Sequence, residues 1–149
     1  MSRVEVSIHI SAPPEAVWDI ALDPSRLKDW VTIHSQLHEA PKRALRKGDE
    51  IDQTLTLRGL PFRVCWKVAA IDRPNSALWE GSGPAGSKAT TEYRLEADGD
   101  GTLFSYANEF KPPAGLIGRM AAGALVGDLP EREARESLKT LQALCEADR

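Results

Sequence analysis

The sequence has little of what announces a covalent frame, a membrane span or a catalytic centre. Of its 149 residues only two are cysteines, Cys65 and Cys145, with no CxxC pair and no His cluster beside either. A zinc-finger frame is excluded, and two reduced thiols fit better than a disulfide scaffold, with one long-range disulfide left open. Long apolar runs are missing too. The most apolar stretch, Ala114 to Leu129, is interrupted by Arg119 and several glycines, whereas a membrane helix needs about 20 mostly apolar residues. No integral membrane segment is expected, and a stretch with one Arg and one Asp has a poor charged face for lying on a bilayer, so it reads as a packing helix. Charge of one sign is also lacking. Lys and Arg number 19 against 22 Asp and Glu, for a formal net charge of −3, and the basic residues are dispersed, which argues against nucleic acid as a partner. Met1 leads directly into Val4, Val6, Ile8 and Ile10 without a basic region followed by an apolar core and a cleavage site, so export is not expected and a cytoplasmic setting is. GxSxG, a phosphate-cradling glycine loop and HExxH are all absent, which removes the common hydrolase, nucleotide and zinc-protease readings. Neither a cofactor nor a metal is expected.

What remains is an ordinary globular composition, 42% hydrophobic and 28% charged, at a length that makes one domain over 1–149 the default. Val4, Val6, Ile8 and Ile10 alternate with Glu5, Ser7, His9 and Ser11, the period of a strand with one face in a core. Pro13 and Pro14 then break the strand and open a helix carrying Ala16, Val17, Ile20 and Ala21, with Trp18 beside them. Asp23-Pro24-Ser25 stops that helix and caps a second short one with Leu27, Trp30 and Val31, and His34 to Ala44 reads as irregular or short-stranded.

From Asp49 the period returns to two over Asp49 to Arg58, Phe62 to Asp72, Ser76 to Ser82, and Lys88 to Phe110. The last segment is broken by Asp98-Gly99-Asp100-Gly101, a hairpin signal, and Gly59-Leu60-Pro61 and Arg73-Pro74-Asn75 are turn chemistry. A helical pattern runs from Gly115 to the C-terminus with Pro130 inside it, where a kink or break is expected. Beyond it Ala134, Leu138, Leu141 and Cys145 share one face. The fold class is α+β. A curved antiparallel β-sheet of about six to seven strands is expected to wrap a long C-terminal helix, with two short helices after strand 1.

The run Val6-Ser7-Ile8-His9-Ile10-Ser11-Ala12-Pro13-Pro14-Glu15-Ala16-Val17-Trp18 resembles the opening of the polyketide cyclase/dehydrase branch of the START-like (SRPBCC, helix-grip) superfamily. Asp23-Pro24 with Trp30, Leu78-Trp79-Glu80-Gly81, Tyr93-Arg94-Leu95 before Asp98-Gly99-Asp100-Gly101-Thr102, and the closing Ser137-Leu138 with Leu141 are similar to that family as well. The resemblance covers nearly the whole chain and implies the helix-grip fold. Because the superfamily includes aromatase/cyclases, lipid and sterol carriers and hormone receptors, it does not choose among them, and it supplies no family-wide catalytic motif.

Strand alternation sorts the faces. Ile51, Gln53, Leu55 and Leu57 point inward, as do Phe62, Val64, Trp66 and Val68, then Ala77 and Trp79, Thr91, Tyr93 and Leu95, and Phe104, Tyr106, Asn108 and Phe110. An aromatic interior with a few polar groups suits a hydrophobic small molecule held by area burial and oriented by sparse hydrogen bonds, although the same aromatics also make an ordinary core. The candidate ligand-binding residues are Trp30, His34, Gln53, Leu55, Trp66, Trp79, Tyr93, Tyr106, Asn108 and Met120. The Ala- and Gly-rich segment 114–127, which holds Met120, leaves room beneath the helix and could gate it. His34 is the one plausible acid/base group, but it has no identifiable orienting carboxylate, so no catalytic residue is assigned. Three readings stand side by side. The first is binding or transport of a lipid, polyketide or isoprenoid-like molecule; the second is a polyketide aromatase/cyclase; the third is an interaction module without a ligand, including a homodimer through a sheet edge or the small-residue helix.

Overall fold

The computed structural model describes residues 2–57, 59–111 and 129–147. Strand β1 (Ser2–Ile10) is followed by helix α1 (Pro14–Ala21), a single 3-10 turn, and the short helix α2 (Leu27–Trp30). Pro14 opens α1, where its missing N–H costs nothing, and the apolar spacing buries Val17, Trp18, Ile20 and Ala21. Asp23 caps the next turn, its carboxylate accepting from the Ser25 backbone N–H at 3.0 Å.

Six strands follow: β2 (His34–Glu39), β3 (Glu50–Leu57), β4 (Leu60–Asp72), β5 (Ser76–Ser82), β6 (Lys88–Asp98) and β7 (Gly101–Lys111). They form a meander that curls, and β1 returns alongside β7, giving the antiparallel order β1-β7-β6-β5-β4-β3-β2. The β6–β7 hairpin closes on an Asp98↔Gly101 pair. Gly99 sits in its two-residue loop at φ 62°, the left-handed conformation that such a loop requires and that glycine adopts without a steric penalty.

One expectation is corrected. Leu60 and Pro61 belong to β4, because the ladder closes as far as Leu57↔Leu60. The segment from His34 is short-stranded, an edge strand up to Glu39 with two register shifts against β3, so its uneven hydrophobic pattern reflects those bulges. The segment 114–127 with Met120 lies outside the described residues. Helix α3 is described over Leu129–Ala147, which places Pro130 in its first described turn, and the expected kink also falls outside.

Helix α3 buries Ser137, Leu138, Leu141 and Cys145 and packs on β1, α2 and α1. It is tied near its C-terminal end and near its middle. Gln142 donates to the His9 carbonyl at 2.7 Å and Glu146 accepts from the Ser11 N–H at 2.9 Å, while the Thr32 N–H donates to Ser137 Oγ at 2.9 Å. Cys65 is exposed and Cys145 buried, and no disulfide joins them.

Leu141 has no exposed surface, so Leu141→Ala is expected to cost about 2–5 kcal/mol through lost transfer energy and the cavity left behind. The exposed Lys139→Ala should stay within about 0.5 kcal/mol. Urea denaturation of both variants measures the difference.

Candidate functional site

Between the inner sheet face and the first half of α3 lies a cavity of about 140 Å³. Its sheet walls are Gln53, Leu55 and Leu57 of β3, Phe62, Val64 and Trp66 of β4, Trp79 of β5, Ala89, Thr91 and Tyr93 of β6, and Tyr106, Asn108 and Phe110 of β7. Leu27, Trp30, Val31 and Ile33 enter from α2 and the link after it, and Pro130, Glu133, Ala134, Ser137 and Leu138 from α3. A second tie holds that link to α3, the Thr32 hydroxyl donating to Glu133 Oε2 at 2.9 Å.

One hydrogen-bonded chain runs through the wall. Trp66 Nε1, which can only donate, bonds Gln53 Oε1 at 2.9 Å. The Gln53 amide nitrogen is thereby turned toward His34 Nδ1 at 2.8 Å, so that nitrogen must accept and the His34 proton resides on Nε2. Burial, with Lys28 adding to it, holds His34 below its ordinary 6.5, in keeping with a neutral ring. Across the β4–β5 ladder Trp66 faces Gly81. A β-carbon there would come within 2.7 Å of the indole ring, so glycine is what lets the ring lie over that strand.

The aromatic groups are continuous. Trp66 and Trp79 stand 6.1 Å apart between ring centroids, and Tyr93 lies against Trp79 at 5.3 Å, Tyr106 at 5.8 Å, Phe104 at 5.9 Å and Trp30 at 6.5 Å. The indole N–H groups of Trp30 and Trp79 are buried with no hydrogen-bond partner. Asn108 donates to Thr91 Oγ1 at 2.9 Å. Burial pushes the Tyr106 hydroxyl up to about 12, partly offset by hydrogen bonding from Thr91 and Asn108. Burial also carries Tyr93 well above the ordinary 10, with the neighbouring Tyr106 contributing. Both phenols are neutral across the physiological range.

A family model described as polyketide cyclase / dehydrase and lipid transport matches residues 1–146. The chain belongs to that family. Among curated relatives, Toxin Rv0910 of Mycobacterium tuberculosis is 29% identical over 133 residues, 88% of this chain and 92% of the relative. The family's fold recurs in the Zhui aromatase/cyclase of a Streptomyces species, with TM-score 0.77 at 18% identity over 97% of this chain and 93% of that one. TTHA0849 of Thermus thermophilus gives TM-score 0.76 at 20% identity, covering 99% of each chain. At such identities the structural likeness concerns the fold, which is the helix-grip arrangement of the polyketide cyclase/dehydrase branch.

In this family member the structure brings Trp30, Gln53, Leu55, Trp66, Trp79, Tyr93, Tyr106 and Asn108 around one cavity. His34 is different. It opens β2 and reaches the wall only through Gln53. His38 on the same strand is exposed and bonds Thr54 Oγ1 at 2.6 Å. Met120 lies outside the described residues. Sequence reasoning missed Val31, Ile33 and the α3 contribution of Pro130, Glu133, Ala134 and Ser137. Val31 and Ile33 flank Thr32 in the alternation that precedes β2, a signal that was present but short. Nothing local marks the Thr32 to Ser137 bond, which joins residues 105 positions apart. Among the described residues no three His, Cys, Asp or Glu side chains gather as a metal site, and no helix is long and apolar enough to cross a membrane.

The Gln53 chain gives a pH prediction. An imidazole whose pKa is lowered by folding binds fewer protons in the native state than in the unfolded chain, so its contribution is complete above about pH 6.5 and is lost as pH falls through the lower native value. Stability in urea should therefore drop between pH 7 and pH 5. His34→Asn, which keeps an acceptor near Nδ1 and cannot be protonated, should flatten that dependence.

Proposed function

We propose that this chain binds an apolar small molecule in the cavity between sheet and α3 and carries it unchanged. The observation that supports this most is the cavity itself, with a wall built mainly of aromatic and aliphatic side chains around a few hydrogen-bonded polar groups. Such walls hold a ligand by area burial, at about 25 cal/mol per Å². About 140 Å³ is close to the roughly 150 Å³ of an engineered apolar cavity that takes up benzene, and below the roughly 300–1,000 Å³ of pockets for drug-sized molecules. The described space therefore suits one ring, or one end of a longer molecule.

Carriage is favoured over cyclisation by the side chains that face the space. Among the described residues the wall has no pair of carboxylates, its phenols are held neutral, and His34 stands behind Gln53 with its Nδ1 engaged. A group that abstracts a proton needs both reach and a pKa near the working pH. The lipid-transport part of the family description agrees with a carrier.

Titration with p-xylene, followed by NMR, tests the reading. The wild type should saturate, and Ala89→Phe, which fills the cavity from β6, should weaken binding at least about tenfold. Failure of the wild type to bind, or equal binding by the variant, contradicts the proposal. Turnover of a linear polyketone by the purified protein would contradict carriage and move the chain to the cyclase reading.

A further inference from the structure

The wall's polar capacity is almost fully used within the protein. Gln53 spends its oxygen on Trp66 and its nitrogen on His34. Asn108 donates to Thr91, and both lie beside the Tyr106 hydroxyl. The charged groups that line the space are engaged as well, Lys88 with Ser82 Oγ at 3.2 Å and Glu133 with Thr32. What is left over lies in one place. Tyr93 is 4% exposed and lines the cavity, yet among the described residues its hydroxyl makes no hydrogen bond. The two rings that meet Tyr93 edge-on, Trp30 and Trp79, carry the unpartnered indole N–H groups.

The Tyr93 oxygen keeps surface open to the cavity, unlike the two indole N–H groups, so a ligand there can reach it. A phenylalanine at position 93 would complete the same aromatic cluster, so packing alone does not require the hydroxyl. We infer that Tyr93 is a specificity residue of the cavity, its O–H donating to a carbonyl-type oxygen on a neutral, ring-sized apolar ligand such as an aromatic ketone, aldehyde or ester. This rests on the cavity being a binding site, and it adds which molecules that site selects. Tyr93 stays protonated, and a phenol O–H is a stronger donor than acceptor, so a ligand acceptor complements it best. An anion is a poor match. Among the described residues the one cation lining the space, Lys88, is engaged with Ser82, and an ionised carboxylate taken out of water requires a free one.

Three probes of similar size separate the possibilities: acetophenone, α-methylstyrene, in which a methylene replaces the carbonyl oxygen, and benzoate. In the wild type acetophenone should bind about tenfold more tightly than α-methylstyrene, as expected for one hydrogen bond, and more tightly than benzoate. Tyr93→Phe should bring the acetophenone to α-methylstyrene ratio close to one while leaving α-methylstyrene binding unchanged. Its urea midpoint should stay close to that of the wild type, since the aromatic packing is kept. A wild-type ratio near one, a ratio that survives Tyr93→Phe, or tighter binding of benzoate overturns the inference while the cavity stands. If none of the three binds the wild type, the cavity reading falls and the inference with it.

Discussion

One helix has to cover the inner face of seven strands, and that mismatch governs the molecule. Seven strands at about 4.8 Å spacing make a sheet about 29 Å wide, whereas a helix with its side chains is about 10–12 Å across. A flat sheet would leave most of its apolar face in water. By curling, the sheet lets α3 pack at the β1 side while α1 and α2 close part of the rest. The space still uncovered between β3–β7 and the start of α3 is the cavity. The cavity is thus a consequence of the architecture, and α3 is held by polar ties at two levels, near Ser11 and near Thr32.

Within that space the polar groups are arranged by elimination. Trp66 can only donate, so Gln53 must present oxygen to it and nitrogen to His34, and His34 must then be neutral. Each assignment follows from the one before. The same arrangement explains why the only His near the cavity is unsuited to move a proton for a ligand. Its accepting nitrogen supports the wall. Among the described residues the phenols and the imidazole are neutral and the charges at Lys88 and Glu133 are engaged, which is the basis for proposing an uncharged ligand.

Much of this could be read from residue order. The period-two runs located β1 and β3 to β7 and sorted Gln53, Trp66, Trp79, Tyr93 and Tyr106 to one face, because a pleated strand offers only two. Asp98-Gly99-Asp100-Gly101 marked its hairpin because the loop needs a glycine with positive φ. Less legible were contacts without local periodicity. The role of His34 depends on β2 lying beside β3 at a shifted register, and the closure of the cavity depends on Thr32 meeting Ser137. Nor does alternation tell a filled interior from a hollow one, since both need the same inward side chains and differ only in how far α3 stands from the sheet.

The four tryptophans allow a direct test of where a ligand goes. Trp30, Trp66 and Trp79 line the cavity, whereas Trp18 is buried on α1 away from it. With 5-fluorotryptophan incorporated, a fluorine NMR titration with an apolar ring compound should shift the signals of Trp30, Trp66 and Trp79 and leave that of Trp18 in place. A spectrum that does not change at saturating ligand, or a shift confined to Trp18, would contradict a ligand held between the curled sheet and its helix.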